Sequence, residues 1–224
     1  MSRHCDVGLR IAAVLALLVM HSQAGFADCR GEVEAAFQKL ETPGLPYRSE
    51  TTIPISAQLA RQLGRAGSAQ LNVLEIAEFI PPDRMRKVLD YFKDRPTEII
   101  RVGTRTWMRQ DERWFEGGSA LARDTFPSGA GSAETIFECL GTVAFEGKAY
   151  AGYRTILPHR IVTLGQEIPA ETKQLPTLWR TILVDRETGL PAYQLPEIEN
   201  QRNSPVWKMH YTYPHDIRIE PPVQ

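Results

Sequence analysis

The 224-residue sequence predicts an α+β domain that is mainly β: an antiparallel sheet with one helix laid over a face. Three observations lead there. Many short runs alternate apolar and polar residues; turn residues separate them at hairpin distances; and one helical pattern stands ahead of them all. Strands that follow one another with little helix between them pair antiparallel, and such a sheet buries one face under a helix.

The elements follow in chain order. Val33, Ala36, Phe37 and Leu40 recur at helical spacing within Cys29 to Leu40, and Glu32 and Glu34 sit near the start, where the helix dipole favours acids. Thr42-Pro43-Gly44 stops that helix, and PYRSETTI (46–53) alternates as a strand. Ser56 to Gln70, rich in Ala, Gln, Arg and Gly, reads as a loop or a short helix. LNVLEIAEFI (71–80), Met85 to Leu89, TEIIRV (97–102), TRTWMR (104–109) and RWFE (113–116) are strands, separated by Pro81-Pro82-Asp83, Lys93 to Pro96, Gly103 and Gln110 to Glu112. Gly117 to Glu138 reads as a flexible loop with helical turns. ECLGTVAFEG and KAYAGYRTIL (138–157) form a hairpin that turns at Glu146-Gly147. After an irregular connection over 158–178, WRTILV, LPAYQL, VWKMHYTY and DIRIE complete the strands.

The stretch TILVDRETGLPAYQL (181–195) sets Asp185, Arg186 and Glu187 between two of these strands, as a catalytic loop would. The turn reading is preferred: Asp185 accepts hydrogen bonds from following amides, Gly189 takes the left-handed conformation that closes the loop, and no nucleophile, base or metal partner accompanies the acids.

The N-terminus carries Arg3 and Arg10, an apolar run from Ile11 to Met20, and a small-residue exit at Gly25-Phe26-Ala27. This is the plan of a secretory signal peptide over residues 1–27, cleaved after Ala27, with one domain over 28–224. The apolar run is about half of the ~20 residues that span a bilayer, so the mature chain is expected not to cross the membrane. Cys5 leaves with the signal. Cys29 and Cys139 remain, and in an oxidising compartment an even pair suggests one disulfide; two free thiols or a metal pair are the alternatives. Asp28 stands before Cys29 where a lipidation signal needs a small residue, which points to a soluble periplasmic protein.

Charge is balanced, 26 Lys and Arg against 27 Asp and Glu, and removal of Arg3, Arg10 and Asp6 makes the mature chain only slightly more acidic. No basic footprint for nucleic acid is present. His210 and His215 are five apart in a strand-like run, which puts them on opposite faces and makes a poor metal pair. No nucleophile elbow, phosphate loop or dinucleotide fingerprint occurs, so no catalytic residue, metal or cofactor is assigned. Trp207, Met209, Tyr211 and Tyr213 share one face of VWKMHYTY. With Trp107, Trp114, Tyr153 and Trp179 on other strands they form either the wall of an apolar pocket or packed core. Arg105 and Arg109, on the face of Trp107, either meet a lipid headgroup or form a solvated rim.

The cleaved leader, the opening helix, the strands rich in Trp and Tyr, and DRETGLP followed by WKMHYTYPHDIRIEPP together resemble the periplasmic lipoprotein-carrier superfamily. It includes the carrier that takes lipoproteins to the outer membrane, its receptor, and a regulator that senses mislocalised lipoproteins. The resemblance covers the mature chain and is sharpest over 179–221. It implies an unclosed half-barrel of antiparallel strands, with the N-terminal helix and short helices covering the open side and an apolar cavity for acyl chains. The expected function is non-catalytic binding of a lipid, an acyl chain or a lipoprotein anchor. A regulatory protein that binds an envelope protein is the alternative, and a lipid-ester hydrolase comes last.

Overall fold

The computed structural model describes residues 28–55, 57–62, 64, 72–90, 96–110, 112–117, 136–157, 177–198 and 205–222. The leader, most of the 117–138 and 158–178 connections, and His159 lie outside the described residues.

Helix α1 (Arg30–Gln38) runs into a 3-10 turn (Lys39–Glu41), and a short helix α2 (Ala57–Gln62) follows the first strand. The strands are β1 (Tyr47–Pro54), β2 (Asn72–Ile80), β3 (Arg84–Asp90), β4 (Thr97–Val102), β5 (Arg105–Gln110), β6 (Arg113–Glu116), β7 (Glu138–Phe145), β8 (Lys148–Ile156), β9 (Leu178–Asp185), β10 (Pro191–Ile198) and β11 (Lys208–Thr212). They make one antiparallel sheet in the order β6-β5-β4-β3-β2-β1-β11-β10-β9-β8-β7. β6 and β7 end the sheet without pairing to each other, so it is an unclosed half-barrel. The return of β11 to the middle, between β1 and β10, joins an N-terminal meander to a C-terminal one.

Two turns work as their residues dictate. Glu146 and Gly147 both have positive φ, 47° and 80°, the pair of left-handed residues that a two-residue hairpin needs to match strand twist. In the β9–β10 turn, Asp185 Oδ1 accepts from the amides of Glu187 (2.9 Å) and Thr188 (3.0 Å), and Gly189, at φ 64°, donates its amide to Asp185 O at 2.8 Å. Lys148 holds the other oxygen, and its ammonium together with the two amides lowers the Asp185 carboxyl to about 2.

Because the native pKa lies below the unfolded value, the stabilisation is complete above the ordinary aspartate range and is lost as pH falls towards about 2. The stability gap between the native protein and Asp185→Asn is therefore expected to close on acidification from about pH 5 to pH 2, read by thermal melts. A gap of constant size would show that the charge contributes nothing.

Alternation sorts the side chains onto two faces. On the helix side lie Tyr47, Phe79, Met85, Ile99, Met108, Tyr211, Ile182 and Tyr153, and these pack with Val33, Phe37 and Leu40 of the helical segment into the main core. The outer face divides. Across β1 to β5 runs an ion-pair ladder in which Glu78 accepts from Arg48 (2.6 Å) and Arg86 (3.3 Å), and Glu98 from Arg86 (2.7 Å) and Arg109 (3.4 Å). Beyond it, two smaller apolar clusters form around Tyr193 with Leu183, and around Trp107 with Ile100.

DIRIE is not a strand. Both edges of β11 are already taken by β1 and β10, so the chain has no free ladder to join after Tyr213. The segment instead packs against the outer face, where Ile219 is buried with Trp107 and Ile100 and its carbonyl accepts from Arg84 Nη1 at 3.0 Å.

Candidate functional site

The helix-side face is apolar over most of the sheet's width. Phe79, Met85, Leu89 and Ile99 on β2 to β4 are all buried and belong to one cluster with Ile182, Val184 and Tyr153 on β8 and β9; Met108 on β5, Met209 on β11 and Ala151 on β8 pack at its margins, half-buried. Tyr47 stacks on Phe79 with centroids 4.7 Å apart, and the ring of Tyr211 meets Phe37 edge-on at 6.2 Å. Burial pushes the hydroxyls of Tyr47 and Tyr211 upward, so both stay neutral, and Gln194 Nε2 donates to Tyr211 Oη at 2.5 Å.

The face is wider than the helix that packs on it is long. From β5 to β8 the sheet order counts nine strands, about 38 Å at the usual ~4.8 Å spacing. Helix α1 has 9 residues, a rod of about 14 Å. Its anchors all lie towards the β7 end: Phe37 against Tyr211, Tyr153 Oη donating to Glu32 Oε2 at 2.7 Å, Cys29 bonded to Cys139, and Lys39 Nζ donating to Thr188 O at 3.0 Å. The apolar row of β2 to β5 lies towards the opposite end of the sheet.

Polar groups interrupt the apolar surface within its rows, where Lys87 stands between Met85 and Leu89, opposite Ala77 and Ile99. Lys87 and Glu75 pair at 2.8 Å, Ser49, Thr51 and Gln194 are buried, and Arg180 lies with its guanidinium 6.0 Å from the Phe137 ring, its pKa lowered by burial. The apolar face is therefore crossed by polar side chains.

The structure divides the aromatic residues singled out from sequence. Tyr153, Met209 and Tyr211 are on the helix side, and Tyr213 packs against the same core, its hydroxyl donating to Pro191 O. Trp207 comes one residue before β11 and is half-buried. Trp107, Trp114 and Trp179 are on the outer face: Trp107 and Trp114 lie in the cluster with Ile217 and Ile219, and Trp179 lies under the guanidinium of Arg154, 4.4 Å from its ring centroid. Arg105 stands with them, 4.8 Å over Trp107, and donates to both oxygens of Glu116 (2.7 and 2.8 Å); Arg109 meets Glu98.

The residues that sequence reasoning passed over are Phe79, Met85, Leu89, Ile99 and Met108. Pairing the strands across Pro81-Pro82-Asp83 and across Gly103 brings Phe79 opposite Met85 and Ile99 opposite Met108, and that register was open to inspection in the sequence.

The disulfide Cys29–Cys139 forms, with Cα atoms 5.7 Å apart. Beside it is an open cleft of about 260 Å³ lined by both cysteines, Glu32, Thr142, Tyr153 and Arg186, among others. Burial, followed by the Glu32 carboxylate, pushes the Tyr153 hydroxyl up to about 12. Among the described residues, no three His, Cys, Asp or Glu come together to hold a metal, and no helix is long and apolar enough to cross a membrane.

No family model and no curated protein matches the sequence. In structure the chain is similar to LppX, a lipoprotein of Mycobacterium tuberculosis, at 11% identity and TM-score 0.50, over 85% of this chain and 97% of that one. It is also similar to the MucA/MucB complex of Pseudomonas aeruginosa, at 14% identity and TM-score 0.43, over 84% of this chain and 56% of that one. NE2245 of Nitrosomonas europaea, a LolA superfamily protein, matches at 10% identity and TM-score 0.35, over 83% of this chain and 92% of that one. At these identities the likeness is one of fold, and the chain itself is an unclosed antiparallel half-barrel.

Proposed function

We propose that the protein binds an acyl chain, of a lipid or a lipoprotein anchor, against the helix-side face of its half-barrel, without catalysis. The observation that carries this reading is the apolar helix-side face, which continues from its buried cluster to the half-buried side chains of Met108, Ala151, Leu190, Met209 and Tyr213. Each buried methylene contributes about 0.8 kcal/mol, so a chain of modest length binds usefully without any reactive group. In this reading Met108, Met209, Tyr153 and Tyr213 belong to the wall, Tyr211 to the packed core behind it, and Trp207 to its edge. The outer-face residues Trp107, Trp114, Trp179, Arg105 and Arg109 serve the packing of that face. The basic, apolar and small-residue plan of residues 1–27 and the Cys29–Cys139 bond support a periplasmic site of action for residues 28–224.

Two measurements test it. Mature protein taken from its native periplasm and extracted with organic solvent is expected to yield a lipid or acyl species in near-stoichiometric amount by mass spectrometry. The double variant Met108→Lys with Met209→Lys puts two charges on half-buried margins of the face and is expected to weaken binding of a fluorescent fatty acid at least tenfold while the far-UV circular dichroism is retained. An empty extract from folded protein, together with unchanged probe binding in the double variant, would overturn the proposal.

A further inference from the structure

We propose that the Cys29–Cys139 bond is a site of exchange with a low-molecular-weight thiol in the folded protein, with Cys139 as the attacked sulfur and Cys29 as the leaving group. The two cysteines differ in environment. Cys29 is 6% exposed at the head of α1, whereas Cys139 is an exposed residue of β7, an edge strand. The cleft beside them opens the bond to solvent, and its volume, about 260 Å³, suits a small molecule better than the surface of a folded partner.

The local backbone keeps that cleft open. The register of β7 against β8 shifts between Cys139 and Gly141, which marks a bulge, and Gly141 sits at φ 69° with nothing within 4 Å of where a Cβ would stand. Arg186 reaches across the rim to donate to Thr142 Oγ1 at 3.0 Å and sets a positive charge where a thiolate approaches.

Cys29 is the better leaving group because it occupies the N-cap of α1, where the helix dipole favours a thiolate. In the first step the incoming thiolate forms a bond to Cys139 Sγ, the Cys29–Cys139 bond breaks, and its electron pair leaves on Cys29 as thiolate. A second thiol then attacks the sulfur of the first, releasing Cys139 as thiolate and the two small thiols as their own disulfide, so that they supply both electrons. Attack by Cys29 on the mixed disulfide reverses the first step.

Opening the bond leaves the helix in place. Cys29 N donates to Phe137 O at 3.2 Å, Asp28 bridges Glu138 and accepts from the Arg30 amide at 3.0 Å, and Tyr153 holds Glu32. Exchange therefore needs no unfolding, and it is independent of the acyl-binding reading.

The test incubates the oxidised mature protein with glutathione near pH 8, alkylates it and maps the peptides by mass spectrometry. Glutathione is expected on Cys139 and the alkyl group on Cys29, at a rate linear in thiol and unaltered by urea below the unfolding transition. Thr142→Trp, which fills the cleft from an exposed strand position, is expected to slow the reaction at least tenfold without moving the urea midpoint. Reaction only when urea reaches the transition, an adduct on Cys29, or an undiminished rate in a folded Thr142→Trp variant would each overturn the proposal.

Discussion

Replacing Cys29 and Cys139 together by serine is expected to lower the unfolding free energy by about 4 to 5 kcal/mol, which is the chain-entropy value for closing a loop of this length. The two residues are separated by 110 positions, and the bond ties the first turn of α1 to the last strand of the sheet. A strand at an edge has neighbours on one side only, so β7 depends on β8 and on what the helix end supplies. Those non-covalent supports survive the substitution, and the variant is expected to keep its native near-ultraviolet circular dichroism at room temperature. The loss then appears in equilibrium urea unfolding as a midpoint lower by about 2 M, taking a slope of about 2 kcal/mol per molar for a domain of this size. Since domains of this kind are stable by only about 5 to 15 kcal/mol, the loss is a large part of the total. A change below about 1 kcal/mol would mean that the oxidised unfolded chain gains little from being unlinked.

The sheet was legible in the sequence because its signals are local. Alternation in β1 to β6, the Glu146-Gly147 turn and the DRETG turn each need only a few adjacent residues to specify them, and each appears where its residues place it. What was not legible depends on partners distant in sequence. DIRIE carries a strand's alternation, but the edge it would need is filled by β1, some 160 residues earlier. Trp107 and Tyr211 look alike as aromatic residues on strands, and their assignment to opposite faces follows only once β11 is inserted between β1 and β10. The apolar row of Phe79, Met85, Ile99 and Met108 lies between these cases: pairing across two turns reveals it, but its alignment with Tyr211 and Ile182 does not follow from sequence spacing.

Tyr211 separates packed core from ligand wall. It is 3% exposed, touches Phe37 and lies 6.4 Å from Tyr47 by ring centroid, so Tyr211→Ala is expected to cost about 3 to 5 kcal/mol, the range for removing a large aromatic ring from a core. Tyr211→Phe keeps the ring and removes the oxygen, leaving the buried Gln194 amide without its acceptor at a cost of about 1 to 3 kcal/mol. The two losses arise from different groups, ring packing and one hydrogen bond, and urea unfolding of both variants separates them. Acyl-probe binding, measured on Tyr211→Phe at a temperature where it is fully folded, is expected to match the native protein, because the removed oxygen faces Gln194 inside the fold. A ring that stood instead as the wall of an open cavity would tolerate alanine at less than about 1.5 kcal/mol, since no packed neighbours would lose contact with it. The same substitution would then change probe affinity directly. A small stability loss with a large binding loss in Tyr211→Ala would therefore move the ligand deeper, under α1 and against β11, whereas the reverse pattern leaves it at the half-buried edge of the face, where Met108 stands.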